Sequence, residues 1–206
     1  MRAFLFGVFL STLSLASMAI EEPSYEVVQK LDGAEVRRYA PYVVAEVQVA
    51  GTADEAGNEG FTILAGYIFG KNKGARKLEM TAPVTQAEAP VKLEMTAPVT
   101  LAQAPGGYVV QFVLPKDVTL ATAPEPLDPR VRLREVPGSR VAVIRYSGLW
   151  SQANYDEHLQ KLEAALRAAN LPWKGVPILS RYNPPFMPWF LRRNEIWLNL
   201  DPAAPG

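Results

Sequence analysis

The sequence predicts an α+β fold, in which two halves of similar plan form a single domain. Strand-like runs of alternating or β-branched residues come in neighbouring groups along the chain. Only two segments, 59–69 and 154–169, place apolar residues at helical spacing. A parallel α/β fold would instead alternate single strands with helices along the whole chain. The sequence therefore favours antiparallel strands accompanied by two helices.

The first half begins with a predicted β-hairpin. Segments 25–31 and 34–39 have strand composition and flank an Asp-Gly turn signal. The β-branched segment 42–50 (YVVAEVQVA) predicts a third strand, which a glycine ends. A helix follows, and its firm part is predicted over 59–69 because two glycines weaken the turns before it.

A repeated phrase follows the first helix. The nine residues KLEMTAPVT occur at 77–85 and again at 92–100. Apolar and polar residues alternate in the phrase, which predicts an apolar strand face that ends at Pro83 or Pro98, because proline cannot donate to a strand ladder. Neither copy contains an imidazole, a thiolate or a carboxylate pair. We interpret the repeat as a tandem duplication absorbed as an extra hairpin, and therefore as scaffold.

The second half repeats the order of the first. A strand pair around a Pro-Gly turn predicts a second hairpin, and a helix with a clean apolar stripe follows it. An aromatic, proline-rich loop then leads to the last strand. The elements predicted after the repeat are strands at 108–114, 131–136 and 140–147, the helix at 154–169, and strands at 176–182 and 194–200.

The N-terminus has the pattern of a secretory signal peptide. Arg2 precedes an apolar run, and Ser17-Met18-Ala19 supplies small residues for cleavage after Ala19. We therefore predict a signal peptide at 1–19, one domain at 20–206, and an exported protein that is most simply periplasmic. The run is short for a spanning helix, which needs about 20 apolar residues, so no stable membrane anchor is expected. The alternatives are a buried N-terminal helix or a membrane anchor.

The composition excludes several classes of function. Twenty-one basic residues balance twenty-one acidic ones, so no charge excess indicates a nucleic-acid partner. The absence of cysteine excludes disulfides and a thiol nucleophile, and no catalytic residue can be assigned. The one histidine, His158, flanks the apolar stripe of the second helix. It fits either a hydrogen-bonded structural role or an axial haem ligand.

The segment SRYNPPFMPWFLRR, at 180–193, carries the clearest signal of binding. It concentrates aromatic residues in a proline-stiffened loop, and such groups should not face water uncovered. Two arginines follow, a pair suited to carboxylates. A flat apolar ligand with acidic groups, such as a porphyrin with its propionates, fits this combination. Alternatively, the loop folds back onto its own core and the arginines are solvated.

With these motifs the sequence resembles the SOUL haem-binding protein family. The resemblance covers YEVVQKLDGAEVRRY (25–39), FTILAGYIFGKNK (61–73), both EMTAPVT phrases and RYNPPF…RRNEIWLNL (181–200). It implies an antiparallel, distorted β-barrel flanked by two α-helices and built from two pseudo-repeats. It also implies non-covalent binding of haem or another tetrapyrrole. A related fold occurs in effector-binding domains of bacterial transcription regulators, which accommodate small molecules between the two halves.

The resemblance also implies a binding site between the first helix and the aromatic loop. Carried over, the site comprises Leu64, Tyr67, Ile68, Lys71, Tyr182, Phe186, Met187, Trp189, Arg192 and Arg193. Some members have a histidine ligand near the start of this helix, but 52–69 contains none. Binding then occurs without an axial ligand, or through Tyr67, Met187 or His158.

Three functions follow as hypotheses from the resemblance and the composition. The first is an exported carrier, buffer or scavenger of haem, a binding protein rather than an enzyme. The second is a haem-modifying enzyme that opens the tetrapyrrole ring with oxygen, the iron supplying the chemistry. The third is a non-haem small-molecule or interaction module that kept the same fold.

Overall fold

The fold is built on one antiparallel sheet, curled into a half-barrel, with two helices packed on it. The computed structural model describes residues 21–74, 92–183 and 186–200. In chain order the elements are β1 (Tyr25–Lys30), β2 (Glu35–Tyr39), β3 (Tyr42–Val49), α1 (Ala53–Ile68), β4 (Val99–Ala104), β5 (Gly107–Val113), β6 (Arg132–Val136), β7 (Ser139–Tyr146), α2 (Gln152–Ala168), β8 (Trp173–Arg181), a short 3-10 helix (Trp189–Leu191) and β9 (Asn194–Leu200). The predicted α+β, distorted-barrel class is confirmed.

The strand order shows how the two halves exchange strands. The sheet runs β1-β2-β7-β9-β8-β4-β5-β3-β6, so β2 pairs with β7 while β6 pairs with β3. The predicted first hairpin, β1 with β2, is confirmed. The predicted second hairpin is wrong, because β6 is bonded to β3 of the first half and not to β7. The halves meet where β4 pairs with β8, at the centre of the sheet.

Helix α1 begins earlier than the sequence pattern predicts. Thr52 and Glu55 form a capping box, which satisfies backbone donors at the helix start and outweighs the low propensity of the glycines. Gly60 also packs so tightly that a Cβ there would lie 2.5 Å from Val110 Cγ2. The glycine therefore lets α1 approach β5 closely, and the prediction that the helix is firm only from residue 59 is wrong.

Both helices pack on the same face of the sheet, which we call the helix face. Side chains of α1 meet β3 and β5, and side chains of α2 meet β7 and β9. Because alternate strand residues point to opposite faces, a second apolar cluster around Trp197 and Tyr39 lies on the opposite face. The two helices sit at different ends of the sheet, so the central strands β8 and β4 lie between them.

The second copy of the repeated phrase supports α1 and β5. The Leu93 amide donates to Ile68 O at 2.8 Å, and the Thr96 hydroxyl donates to Val113 O. The regular strand β4 begins only at Val99, directly after Pro98. The prediction of an apolar strand face that ends at Pro98 is therefore wrong for the second copy. The first copy and the predicted extra hairpin fall on 75–91, outside the described residues.

Candidate functional site: a cleft at the seam between the two halves

A cleft opens on the helix face where the two halves meet, and we call it the seam cleft. Its volume is about 510 Å³, within the usual range of small-molecule sites. The N-terminal ends of α1 and α2 form two of its walls, and strands β4, β5 and β8 form its floor. Its large apolar and aromatic lining residues are Leu101, Tyr108, Tyr146, Trp150, Tyr155 and Leu179.

Both helix N-termini present their positive ends to the cleft. The Thr52 hydroxyl accepts from the Glu55 amide at 3.4 Å, and the Ser151 hydroxyl accepts from the Asn154 amide at 3.3 Å. Thr52 and Ser151 both line the cleft. The first backbone N–H groups of a helix carry partial positive charge, so two such ends favour a negatively charged group between them.

Arg181 is the cation among the described residues that line the cleft, and it is only partly compensated. Its side chain is 16% exposed, and its Nη2 lies 3.4 Å from Oδ1 of the more exposed Asp54. Burial lowers the pKa of Arg181, and the hydrogen bond and charge of Asp54 only partly offset that effect. Its Nε is buried without a hydrogen-bond partner among the described residues. The guanidinium therefore has spare donor capacity.

Trp150 and Asn194 stand beside this guanidinium. The Arg181 guanidinium lies 4.3 Å from the Trp150 ring centroid, and the Trp150 Nε1 donates to Asn194 Oδ1 at 2.8 Å. Asn194 is the β9 register partner of Arg181, and its Nδ2 is also buried without a described partner. Buried donors in native proteins are rarely left unpaired. Two such donors therefore lie on neighbouring strands beside Trp150, a residue of the cleft lining.

Two tyrosines of the cleft, Tyr146 and Tyr155, are neutral at ordinary pH. Burial raises the pKa of Tyr146 to about 12, and burial followed by nearby carboxylates and Tyr108 raises the pKa of Tyr155. Protonated phenols can donate hydrogen bonds to a ligand. His158 stacks on Tyr146, with 4.3 Å between ring centroids, and its Nδ1 donates to Asn154 O at 2.7 Å. His158 thus sits against a cleft residue, on α2.

The residues predicted on α1 pack into the core. Leu64, Tyr67 and Ile68 are at most 1% exposed and lie between α1 and the sheet. The Tyr67 hydroxyl donates to Pro124 O at 3.0 Å, which fixes that ring. Lys71 is exposed just beyond the helix. Leu64, Tyr67 and Ile68 are therefore part of the same core that holds α1 in place.

The predicted loop residues lie on the surface. Phe186 is 85% exposed and Trp189 is 55% exposed, while Met187 is half-buried. Arg192 Nε donates to Met187 O at 2.8 Å, and the Arg192 guanidinium lies 4.3 Å from the Trp150 ring centroid. The loop thus borders the seam cleft through Trp150 without lining it.

Tyr182 and Arg193 belong to a buried group on the opposite face, which we call the Glu195 cluster. Glu195 is 0% exposed and accepts from every other member of the cluster. The members and their donor distances are Arg37 (2.8 and 3.1 Å), Tyr182 (2.8 Å), Trp197 (2.8 Å) and Arg193 (3.0 and 2.8 Å). Arg193 also pairs with Glu22 at 2.6 Å.

The structure thus distributes the predicted site over the core, the loop surface and the Glu195 cluster. The predicted ligand contacts of these residues stay a prediction. Sequence reasoning missed Trp150, Arg181 and Asn194 as a group. A strand's period of two already places 179 and 181 on one face, but the pairing of β8 with β9 is needed to bring Asn194 alongside.

Within 21–74, 92–183 and 186–200, no three histidine or carboxylate side chains lie close enough together to hold a metal ion. In the same residues, neither helix is long and apolar enough to cross a membrane.

The fold and the cleft together define a small α+β domain with a ligand-sized cavity between two related halves. The model of the SOUL heme-binding protein family matches residues 20–199. The chain therefore belongs to the SOUL haem-binding protein family, as its motifs predict.

Two named relatives agree with this membership, and one solved structure shares the fold. Heme-binding protein 2 of Homo sapiens is 28% identical over 89% of this chain and 87% of its own length. Heme-binding protein 1 of Mus musculus is 29% identical over 70% of this chain and 72% of its own length. The EcmrR C-terminal domain superposes with a TM-score of 0.57 at 9% identity, covering 86% of this chain and 98% of that domain. That last likeness shows the fold alone.

Proposed function

We propose that this protein is an exported haem- or tetrapyrrole-binding protein that holds its ligand non-covalently in the seam cleft. The observation that carries the proposal is the pair of buried, unpartnered donors, Arg181 Nε and Asn194 Nδ2, beside aromatic walls. Such a protein acts as a carrier, buffer or scavenger. The family and the haem-binding names of its relatives support the ligand class.

The chemistry of the cleft fits a flat, anionic, aromatic ligand. Tyr108, Trp150 and Tyr155 offer ring surfaces for a macrocycle. Arg181 and the two helix N-termini offer positive charge, which suits a propionate group. A tetrapyrrole dicarboxylate satisfies both requirements at once.

The lining favours binding through the macrocycle over binding through iron. No imidazole or thioether side chain occurs among the described residues that line the cleft. Tyrosine is an axial ligand in some haem proteins, but burial raises the pKa of Tyr146 to about 12 and so disfavours the phenolate. The chain has no cysteine, which excludes thioether attachment of the ligand. When bound, haem would supply any redox chemistry, while this chain binds and orients it.

Export rests on the N-terminal segment of the sequence. Arg2, the apolar run and the small residues before the predicted cleavage point form a secretory pattern. These residues lie outside the described part of the chain. Expression of the full chain in a bacterial host, with mass spectrometry of the periplasmic fraction, should detect a mature N-terminus at Ile20. A full-length chain confined to the cytoplasm would contradict export.

A titration with haem tests the ligand class. We expect ferric haem added to the purified mature chain to produce a Soret shift that saturates at about one equivalent, as a single pocket requires. Loss of the Soret band under oxygen, with a new long-wavelength bilin band, would indicate the ring-opening enzyme instead. An unchanged haem spectrum at micromolar protein would overturn the proposal.

A filling substitution tests the location of the ligand. Gln103 is exposed at the cleft, so Gln103→Trp should occupy ligand space without disturbing the core, and we expect it to abolish the shift. Gln160→Trp, on the exposed side of α2, is the matched control and should leave the titration unchanged. If Phe186→Ser with Trp189→Ser abolishes the shift and Gln103→Trp does not, the ligand lies at the site implied by the family resemblance.

A further inference from the structure

The charged side chains of the seam cleft are gathered at one end. Among the described residues that line the cleft, Arg181 and Asp54 are the basic and acidic side chains. Arg181 Nη2 and Asp54 Oδ1 lie 3.4 Å apart. The Arg181 guanidinium also lies 4.3 Å from the Trp150 ring centroid, and Ser151, the N-cap of α2, follows Trp150. We call this region the charged end of the cleft.

Strand register places uncharged residues at the other end. Val99 of β4 is the register partner of Arg181 on β8, and Gln103 lies four residues further along β4. At roughly 3.3 Å per residue, the two ends of the floor are about 13 Å apart. Gln103 is paired with Tyr108 of β5, and both residues line the cleft. We call this region the Tyr108 end.

The helix N-termini at the charged end differ in their charge. The first turn of α1 carries Asp54 and Glu55, and Glu55 accepts from the Thr52 amide at 2.9 Å. The first turn of α2, which the structure describes in full, contains no acidic residue. A carboxylate at this end is therefore attracted by Arg181 and by the start of α2. Asp54 opposes it weakly, because Asp54 is 73% exposed and screened by solvent.

The surroundings of the Tyr108 end disfavour a second carboxylate. Burial raises the pKa of the cleft residue Tyr155, and Asp156, Tyr108 and Glu163 raise it further. Both carboxylates therefore lie near enough to act on a phenol that lines the cleft. Glu163 is paired with Arg167 at 2.7 Å, so Asp156 is the larger source of negative charge. An anionic group at this end gains no cation from the described lining residues.

We propose that the seam cleft selects tetrapyrroles whose carboxylates lie along one edge of the macrocycle, with that edge at Arg181 and the bare edge at Tyr108. This inference rests on the proposed function, because it concerns the orientation of the same ligand. Haem and protoporphyrin IX carry two propionates on neighbouring rings, whereas coproporphyrin carries one propionate on each of its four rings. Coproporphyrin would press carboxylates against the Tyr108 end, where a charged group loses hydration without gaining a partner.

Titration with metal-free porphyrins tests the selection without any contribution from iron. We expect quenching of tryptophan fluorescence to show that protoporphyrin IX binds at least about tenfold more tightly than coproporphyrin III. The dimethyl ester of protoporphyrin IX, which lacks the charged edge, should bind about tenfold more weakly than the diacid. Arg181→Met should bind the diacid and the diester with nearly equal affinity.

A charge added at the Tyr108 end should relax the selection. Gln103 is exposed there, and Gln103→Lys supplies the cation that this end lacks. We expect the affinity ratio of protoporphyrin IX to coproporphyrin III to fall at least about threefold, since opposite charges attract. The matched control Gln160→Lys adds the same charge on the exposed side of α2 and should leave the ratio unchanged. Circular dichroism melting should show that each variant is folded.

The outcomes separate this inference from the proposed function. Failure of the wild type to bind any of the three porphyrins would overturn both. If the wild type binds protoporphyrin IX and coproporphyrin III equally, or the diacid and the diester equally, tetrapyrrole binding stands and the selection by edge is wrong. An unchanged ratio in folded Gln103→Lys would equally overturn the placement of the bare edge at Tyr108.

Discussion

The seam cleft and the Glu195 cluster lie on opposite faces of the same two strands. Arg181 lines the cleft and its register partner Asn194 lies on the same face of the sheet, while their sequence neighbours Tyr182 and Glu195 lie on the other face. On one face, a buried carboxylate has donors from four side chains. On the other face, a buried guanidinium has one carboxylate partner at 3.4 Å and an unpartnered Nε.

This difference separates a fully compensated buried charge from an under-compensated one. Burial alone would raise the pKa of Glu195, but the hydrogen bond and charge of Arg37, with Trp197 and Arg193, outweigh it and hold the pKa below its ordinary value. The opposite holds at Arg181, where burial is the largest influence and lowers the pKa. A fully compensated buried charge orders the fold, whereas an under-compensated one keeps donor capacity that a ligand could use.

The largest expected effect is on stability when Glu195→Gln removes the central charge of the cluster. Arg37 is 3% exposed and would keep only Glu35, which is 29% exposed, as a counter-charge. We expect a loss of about 3–5 kcal/mol in the free energy of unfolding, measured by urea titration. Glu26→Gln breaks the exposed pair with Arg38 and should cost about 0–1 kcal/mol. Equal losses of unfolding free energy in the two variants would show that the buried Glu195 cluster stabilises the fold no more than an exposed ion pair does.

At acid pH the free energies of unfolding of the wild type and Glu195→Gln should become equal. The folded pKa of Glu195 lies below the ordinary 4.5, so its contribution is fully present above that pH and is lost as the pH falls through the folded value. A protonated carboxyl group is uncharged, as the amide is. Unfolding curves of both proteins at decreasing pH should converge, and a constant gap down to the acid transition would contradict the assignment.

Arg181→Met should affect ligand binding more than stability. Loss of the charge and its donors should weaken haem binding about tenfold to a hundredfold, or about 1.4–2.7 kcal/mol, by Soret titration. The free energy of unfolding should change by no more than about 1 kcal/mol, because the removed charge was poorly compensated. Arg145→Met, an exposed arginine of β7, is the control. If Arg181→Met binds haem with unchanged affinity, the guanidinium does not contribute to haem binding, even if the wild type binds haem.

The smallest expected effect is at the edge of the Glu195 cluster. Glu22 is 28% exposed and accepts from Arg193 at 2.6 and 3.0 Å. Glu22→Gln should lower the free energy of unfolding by about 1 kcal/mol, since a partly exposed pair is screened by solvent. A loss of unfolding free energy as large as that of Glu195→Gln would show that Glu22 contributes as much to the cluster as Glu195 does.

Much of the secondary structure could be predicted from local patterns. The last strand, 194–200, coincides with its prediction, and the α2 prediction differs from the structure by two residues at its start and one at its end. Alternation and helical spacing are properties of a few neighbouring residues, so a window of the sequence contains them. The strand exchange between β6 and β3 was missed, because pairing partners far apart in sequence leave no local signal.

The candidate site was less predictable than the fold. The aromatic loop and its arginines are visible in the sequence, but whether an arginine is solvated, paired or left with an unpartnered nitrogen depends on the surrounding strands. Arg192 and Arg193 follow one another, yet one lies against Trp150 and the other is bonded to Glu195. Successive side chains of a strand point to opposite faces of the sheet, and the pairing of the strands determines which residues each side chain contacts.

By itself the sequence determined the family, the two-helix antiparallel plan and a net charge that favours no nucleic acid. These properties follow from composition and from motifs and periodicities that short stretches of the sequence contain. Only the tertiary structure decided that Leu64, Tyr67 and Ile68 belong to the core, and that Arg181 and Asn194 meet at the seam with unpartnered nitrogens. Burial and hydrogen-bond completion are properties of the assembled neighbourhood, which strands from both halves of the chain create together.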